Sequence, residues 1–279
     1  MIYNNLLKED NKNILEDLLE RCKSVKSIDV DHIRVLAEES ARSTNNGNPL
    51  PHALNVILER WYESLPTGIP DYSVYGEDEY IAELWACWKV YSKTHLANIQ
   101  KPNSLFTRSI VDEHRDSKIV VDLGCGFSYT TAALTQIFPQ ASVFGTNLDD
   151  TLQMSVARTV AADYNFTMKT DASEIKATAD LVFASEYFEH FDRPIDHLDY
   201  IIETIRPEAM LIANAFGPTA IGHFREYSVK MNEIVGYESI PAGQTSKLFN
   251  SRLKSHGYTK EKTKLWNSRP AYWVKSKML

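Results

Sequence analysis

From residue 118 onward, short runs of apolar and β-branched residues alternate with segments of helical periodicity. Such alternation is typical of a parallel β-sheet whose strands are joined by crossover helices. The predicted strands are 118–123, 142–146, 167–170, 181–184 and 210–213, with predicted helices at 129–138, 151–163 and 194–205. Two further strands, 259–266 and 271–277, are separated by a connection short enough for an antiparallel hairpin. The sequence therefore predicts an α/β fold with a seven-stranded sheet closed by an antiparallel hairpin.

The first 117 residues have the pattern of a helical region. Apolar residues recur at helical spacing in four segments, 6–25, 30–42, 52–64 and 77–99. The last segment carries an aromatic stripe of Trp85, Trp88 and Tyr91, which we expect to lie in a core or in a lid over the site. We therefore predict two parts: a helical region of residues 1–117 that covers the site and selects the substrate, and an α/β domain of residues 118–279.

Composition excludes several classes of protein. Of the 279 residues, 43% are hydrophobic and 24% are charged, which is ordinary for a globular chain. No apolar stretch approaches the roughly 18 to 20 residues of a membrane span, and the first ten residues lack the pattern of a signal peptide. Three widely spaced cysteines predict reduced thiols rather than disulfides or a zinc site. We expect a cytoplasmic protein with no membrane partner, and the sequence leaves its oligomeric state open.

The charge is unevenly distributed along the chain. The net charge is −7, yet residues 247–279 alone carry +8, so the remainder carries −15. Lys260, Lys262 and Lys264 alternate and therefore share one face of a predicted strand, where they can protect an exposed sheet edge from aggregation. The alternative is that this basic C-terminal segment binds nucleic-acid phosphates, with nearby aromatic side chains stacking on bases. We favour the solvated edge because the sequence has no base-reading motif.

A glycine-containing turn follows the first predicted strand. Asp122 ends that strand, and Gly124 and Gly126 follow it before a predicted helix. Glycines let the backbone approach a ligand closely, and the helix N-terminus offers free N–H groups. This turn predicts a ligand site at the carboxyl end of the sheet.

The turn resembles the first motif of the class I S-adenosylmethionine-dependent methyltransferases, D/E-x-G-x-G-x-G. Asp122, Gly124 and Gly126 match, and Ser128 stands where the third glycine is usual. The resemblance covers roughly residues 118–279 and implies a Rossmann-like methyltransferase fold that binds S-adenosylmethionine. It implies that the glycine turn holds the methionine part of the cofactor and that the acidic residue acts near its amino group. A bulky side chain at Gly124 would then fill the space that the cofactor needs.

Three later segments match the family in position. The family ends its second strand with an acidic residue that binds the two ribose hydroxyls, but this chain has Asn147 there, followed by Leu148 and Asp149. An amide makes this contact without charge assistance, so the resemblance implies that Asn147→Asp strengthens cofactor binding unless Asp149 takes the role. The resemblance also implies adenine contacts from Asp171 and Ala172 and a cofactor contact from Ser185.

The fourth predicted strand ends in Glu-x-x-Glu-His, formed by Glu186, Glu189 and His190. If this segment turns helically, the three side chains share one face at the ligand-binding edge. Two carboxylates and an imidazole can act as a general base or bind a divalent ion.

The Glu-x-x-Glu-His element resembles the metal site of small-RNA 2′-O-methyltransferases and of ubiquinone-pathway O-methyltransferases. The former complete the site with a histidine beyond strand five, for which the candidate is His223. The resemblance implies one divalent ion of Mg, Mn, Fe or Zn bound by Glu186, Glu189, His190 and His223, which are also the candidate catalytic residues. The metal-free alternative is a general base that depends on His190. Because ligands must be deprotonated, we expect metal affinity to fall as pH drops through the imidazole range near 6.5.

These observations predict an enzyme that transfers a methyl group from S-adenosylmethionine to an acceptor. The acidic and histidine cluster favours an oxygen of a small molecule or a ribose as the acceptor. Two alternatives remain: a catalytically silent binding module that retains the fold, and a nucleic-acid methyltransferase that uses the basic C-terminal segment. The sequence does not name the acceptor.

Overall fold

The computed structural model describes residues 2–46, 50–102, 108–232, 236–261 and 270–276. The predicted fold class is confirmed. Within these residues a seven-stranded sheet is flanked by helices, and a separate two-stranded sheet and a set of N-terminal helices complete the fold. No helix of the described ranges combines the length and the apolar character that crossing a membrane requires.

The main sheet has the strand order β3-β2-β1-β4-β5-β9-β8. Its five parallel strands are β1 (Ile119–Leu123), β2 (Ser142–Thr146), β3 (Thr167–Lys169), β4 (Leu181–Ser185) and β5 (Ala209–Ala213). Each of them begins and ends within one residue of its predicted position. Strand β9 (Ala271–Lys275) runs antiparallel to β5 and to β8 (Tyr258–Lys260), which confirms the predicted closing hairpin. Lys262 and Lys264 lie outside the described residues. Lys260 is exposed on β8, the edge strand.

Crossover helices place the carboxyl ends of the parallel strands at one edge. Helices α7 (Tyr129–Ile137), α8 (Leu152–Tyr164) and α9 (Pro194–Ile205) connect successive strands as predicted. Helix α9 is strongly amphipathic and buries four isoleucines and Leu198. These buried faces fix the sheet, so that the loops after β1, β2, β3, β4 and β5 converge at the ligand-binding edge.

Three elements after β5 were not predicted. Strands β6 (Glu226–Asn232) and β7 (Gly236–Pro241) form the separate two-stranded sheet, and helix α10 (Ala242–Ser255) follows it. Helix α10 buries Phe249 and Leu253 in a hydrophobic cluster that also contains residues of the main sheet.

The N-terminal region consists of helices α1 (Asn11–Val25), α2 (Val30–Asn46), α3 (His52–Ser64), α4 (Asp78–Cys87), α5 (Lys93–Ile99) and α6 (Ile110–Glu113). A π-helical turn, Trp88–Ser92, joins α4 to α5, so the predicted segment 77–99 is one helix with a local bulge. Such bulges are frequent at functional sites.

The N-terminal helices share one hydrophobic core with the sheet. Leu15, Leu18 and Trp85 belong to the same buried cluster as Val120 and Phe183. Polar contacts cross the same boundary, since the Tyr129 hydroxyl donates to Asp17 at 2.8 Å and Arg21 pairs with Asp163 at 2.6 Å. The helical region is therefore packed onto the α/β part through both apolar and ionic contacts.

Candidate functional site

The glycine turn after β1 is held in a conformation that few residues adopt. Gly124, Gly126 and Ser128 have φ values of +63°, +54° and +67°. Ser128 therefore keeps the left-handed backbone at the position where the third glycine is usual. The turn is fixed to the end of β2, because the amide of Gly124 donates to the Thr146 hydroxyl at 3.2 Å and the amide of Cys125 donates to the Thr146 carbonyl at 3.0 Å.

Gly124 lies directly against the ring of Tyr187. A Cβ atom at position 124 would lie 2.4 Å from Cδ2 of Tyr187, a separation that real Cβ atoms do not tolerate. The Tyr187 ring is held in place from its other side, where its hydroxyl lies 2.7 Å from Nε2 of His197. His197 in turn stacks on Phe191 with ring centroids 3.6 Å apart. The sequence alone did not indicate that Tyr187 and His197 belong to the site.

Asp122 is buried beneath the turn. Its side chain is 2% exposed, and Oδ2 accepts a hydrogen bond from the Thr131 hydroxyl at 2.6 Å. Burial raises the pKa of this carboxyl to about 7. A positively charged group beside it would favour the ionised form, so Asp122 suits the place of the cofactor's amino group.

Asn147 ties the end of β2 to the glycine turn. Its Nδ2 donates to the carbonyl of Gly126 at 2.8 Å, and its Oδ1 accepts from the amide of Leu148 at 2.9 Å. The amide therefore stabilises the turn by a contact that an aspartate could not make. Asp149 points elsewhere, since it pairs with Arg158 at 3.0 Å on the surface.

The loops after β3 and β4 supply the other predicted cofactor residues. Asp171 begins a short 3₁₀ turn and accepts hydrogen bonds from the Ser173 amide, at 2.8 Å, and from the Tyr200 hydroxyl. Ser185, at the end of β4, lies 3.4 Å from Nδ1 of His95 on α5.

These loops line one side of a cavity of about 760 Å³. Eight of the nine residues predicted to bind the cofactor line it, namely Asp122, Gly124, Gly126, Asn147, Leu148, Asp171, Ala172 and Ser185. Asp149 is not among the lining residues. The N-terminal region lines the opposite side with Tyr75, Tyr80, Glu83, Trp88 and Tyr91. Thus all three members of the predicted aromatic stripe, Trp85, Trp88 and Tyr91, line the cavity, and Trp85 and Trp88 are also buried in the core.

Three of the four predicted metal ligands lie close together, and two of them, Glu186 and His223, line the cavity. Glu186, Glu189 and His223 each offer a ligand atom, and these atoms lie within 4.8 Å of one another. Their arrangement differs from the predicted helical face. Glu186 precedes the 3₁₀ turn Phe188–His190 and has a left-handed backbone with φ of +52°, which is strained for a residue with a side chain.

Glu189 is a fully buried carboxyl with incomplete hydrogen bonding. Its Oε1 accepts from the amide of Ala215 at 2.6 Å. Its Oε2 has no hydrogen-bond donor among the described residues. Burial raises the pKa of this carboxyl to about 7. An unpaired buried carboxylate oxygen is costly, so the site favours either a proton or a cation beside Oε2.

His223 is oriented for ligation by its backbone contacts. Nδ1 of His223 lies 3.1 Å from the carbonyl of Pro218, and its own carbonyl accepts from Nε1 of Trp61 at 2.7 Å. Because a carbonyl only accepts, Nδ1 carries the proton and Nε2 keeps a lone pair. Burial lowers the pKa of His223 to about 4, which keeps the ring neutral.

His190 is not part of this group of ligand atoms. Its Nδ1 lies 3.1 Å from the hydroxyl of Tyr75, in the N-terminal region. Its ring contacts that of His223 edge to face, with centroids 5.0 Å apart, and it lines the cavity. Burial and the neighbouring His223 lower the pKa of His190 to about 3. The structure thus separates His190 from the two glutamates with which the sequence had grouped it.

A family model described as a methyltransferase domain matches residues 121–213. The match runs from β1 to the end of β5 and includes the glycine turn and the Glu-x-x-Glu-His segment. Residues 121–213 therefore match a methyltransferase domain, over about a third of the chain. The strand order of the main sheet and its antiparallel β9 agree with that assignment.

The methyltransferase domain is similar to known proteins at low sequence identity. The malonyl-(acyl-carrier protein) O-methyltransferase of Halalkalibacterium halodurans is 23% identical over 118 residues, which cover 38% of this chain and 44% of that relative. The chain therefore matches less than half of the relative's length. The structure of mitomycin 7-O-methyltransferase is 14% identical, with 87% of this chain and 81% of that chain covered and a TM-score of 0.47. A sugar N-methyltransferase from Streptoalloteichus is 13% identical over 70% of this chain and 92% of its own, with a TM-score of 0.46.

Proposed function

We propose that the protein transfers the methyl group of S-adenosylmethionine to an oxygen atom of a small molecule bound in the cavity. The observation that carries this proposal is that the glycine turn, Glu186 and His223 line one cavity, beside a segment that matches a methyltransferase domain. The cavity volume of about 760 Å³ falls in the range typical of small-molecule sites. Its N-terminal wall of aromatic residues suits an apolar acceptor.

Methyl transfer requires alignment and removal of a proton. The acceptor oxygen forms a bond to the methyl carbon as the carbon–sulfur bond breaks, and the sulfur keeps the electron pair to give S-adenosylhomocysteine. The hydroxyl proton of the acceptor must pass to a base. We propose Glu186, which lines the cavity, as this base.

We further propose that Glu186, Glu189 and His223 hold one divalent cation. Two features support the fit: the buried Oε2 of Glu189, to which no described residue donates a hydrogen bond, and the Nε2 lone pair of His223. A mixed oxygen and imidazole set suits Mn, Fe or Zn at least as well as Mg. A bound cation would lower the pKa of the acceptor hydroxyl.

Calorimetry tests the proposed function directly. We expect both S-adenosylmethionine and S-adenosylhomocysteine to bind the full chain. We also expect mass spectrometry to detect a product 14 Da heavier than its acceptor after incubation with a pooled metabolite extract, since a methyl group replaces a hydrogen. Absence of heat with both ligands at millimolar concentration would overturn the methyltransferase proposal. Binding without any methylated product would instead support the silent binding module.

The contacts of Asn147 change the expected effect of Asn147→Asp. An aspartate would place a carboxylate oxygen against the carbonyl of Gly126 in place of the Nδ2 donor. We therefore expect S-adenosylhomocysteine to bind about tenfold more weakly, the effect of losing one hydrogen bond of roughly 1 to 1.5 kcal/mol. Asp149→Asn is the matched control and is expected to bind normally. Stronger binding by Asn147→Asp, or loss of binding by Asp149→Asn, would restore the ribose role that the family resemblance implies.

A further inference from the structure

Tyr75 reaches the candidate active site from the N-terminal region. It lies on the 3₁₀ turn Tyr72–Gly76, between α3 and α4. Its carbonyl accepts a hydrogen bond from Nε2 of Gln153 on α8 at 2.6 Å, and its ring packs on Tyr80 with centroids 4.8 Å apart. The backbone and the ring of Tyr75 are thus both held before its hydroxyl meets the histidine.

The hydroxyl of Tyr75 and Nδ1 of His190 form a partly buried contact of 3.1 Å. The loop after β5 closes over it. A Cβ atom at Gly222 would lie 2.2 Å from the Tyr75 hydroxyl and 2.3 Å from Nδ1 of His190, and Gly222 has φ of +84°. Three segments that are distant in sequence therefore enclose one hydrogen bond, which is the arrangement of a positioning contact.

The direction of this hydrogen bond follows from the two groups. Burial raises the pKa of the Tyr75 phenol far above its usual range, so the phenol keeps its proton. Among the described residues, the hydrogen-bond partner of the Tyr75 hydroxyl is Nδ1 of His190. The imidazole is neutral and carries one proton, so a ring that accepts at Nδ1 carries its proton at Nε2.

We propose that Tyr75 is a positioning residue that holds His190 in the Nε2–H tautomer, so that His190 donates a hydrogen bond into the cavity. This inference rests on the proposed function for its role in catalysis. A donor at Nε2 orients the acceptor oxygen and stabilises the negative charge that develops on it. It does not remove the proton, which leaves the carboxyl group of Glu186 as the proton acceptor. The N-terminal region is then part of the catalytic unit as well as its cover.

Tyr75→Phe tests the inference because it removes the hydroxyl and keeps the ring. The tautomer of His190 is read from two-bond nitrogen–proton NMR spectra of protein labelled with ¹⁵N-histidine, with and without S-adenosylhomocysteine. The signal of His190 is identified by its loss in His190→Gln. We expect the Nε2–H form to dominate in the parent protein. In Tyr75→Phe the ratio of the two tautomers should fall about fivefold toward Nδ1–H, the change that loss of one hydrogen bond produces.

Tyr237→Phe is the matched control, since it removes an exposed hydroxyl from β7 and should leave the His190 spectrum unchanged. Correct folding of Tyr75→Phe is checked separately. Its circular dichroism spectrum and its affinity for S-adenosylhomocysteine should be the same as those of the parent protein. A dominant Nδ1–H form in the parent would overturn the inference, as would an unchanged tautomer ratio in Tyr75→Phe. The NMR measurement of the tautomer does not require enzymatic turnover. Failure of the proposed function would therefore be seen in a different experiment, as the absence of S-adenosylhomocysteine binding.

Discussion

Gly124→Val is expected to weaken binding of S-adenosylhomocysteine by at least about 100-fold, or about 2.7 kcal/mol. Two physical causes act together. The backbone at Gly124 has φ of +63°, which a β-branched residue adopts only with strain. A valine Cβ would also lie 2.4 Å from the Tyr187 ring and force that ring away from the glycine turn. Calorimetry with S-adenosylhomocysteine measures the loss.

The origin of this effect differs from the one that the sequence suggested. From the motif alone, a side chain at position 124 was expected to fill the space of the cofactor. The structure shows that the side chain first meets Tyr187, which His197 holds in place through a 2.7 Å contact. Tyr187→Ala combined with Gly124→Ala separates the two causes, because it relieves the contact and leaves the backbone strain.

Gly243→Val provides a matched control for Gly124→Val. Position 243 lies in α10, and a Cβ atom there would have no heavy atom of another described residue within 4 Å beyond its chain neighbours and its own helix backbone. We expect this variant to bind S-adenosylhomocysteine normally. Circular dichroism of both variants separates a local change from loss of folding. Normal affinity in a folded Gly124→Val protein would contradict the assignment of the glycine turn to the cofactor.

The sequence predicted the main sheet well because its signals are local. Parallel strands that are buried on both faces have continuous apolar runs, and β2 and α9 begin and end at the predicted residues. The hairpin of β6 and β7 has no such run: β6 buries Tyr227 and Val229 in alternation with more exposed residues, and β7 buries Ile240. This hairpin is stabilised by packing on α9 and α10. Such long-range contacts cannot be predicted from local sequence patterns.

The candidate site was predictable only where its residues are close in sequence. The glycine turn and the Glu-x-x-Glu-His segment are each contiguous, and both lie at the sheet edge as predicted. The contacts that decide what each side chain does are long-range. Tyr75 is 115 residues from His190, and Trp61 is 162 residues from His223. Sequence periodicity contains no information about such distant pairs. The sequence pattern therefore grouped His190 with the glutamates, whereas in the structure His190 contacts Tyr75.

Glu189→Gln is expected to weaken binding of Mn²⁺ to the full chain by at least about 100-fold. Loss of an outer-shell partner alone costs 10- to 100-fold in metal affinity, and Glu189 would be a direct ligand. An amide keeps the shape of the side chain and the acceptor for the Ala215 amide, but it offers no charge to the cation. Isothermal titration with Mn²⁺ measures the effect. Glu203→Gln, on the exposed face of α9, is the matched control and should bind as the parent does.

The pH dependence of this binding identifies the group that competes with the metal. The pKa of His223 lies at about 4, so its imidazole is already neutral at pH 6.5 and does not set the titration range that the sequence suggested. The pKa of Glu189 is raised to about 7, so a proton and the cation compete for the same carboxyl. Affinity for Mn²⁺ should therefore rise by about tenfold per pH unit below 7 and level off above it.

Turnover provides the decisive comparison between the cation site and a metal-free base. With a cation at Glu186, Glu189 and His223, a chelator should abolish methyl transfer to the acceptor found by mass spectrometry, and added Mn²⁺ should restore it. His223→Ala should lose the same activity, because it removes the imidazole ligand and keeps the carboxylates that could serve as base. Full activity after chelation and in His223→Ala would refute the cation site. It would leave the methyltransferase proposal intact, since Glu186 could then take the acceptor's proton unaided.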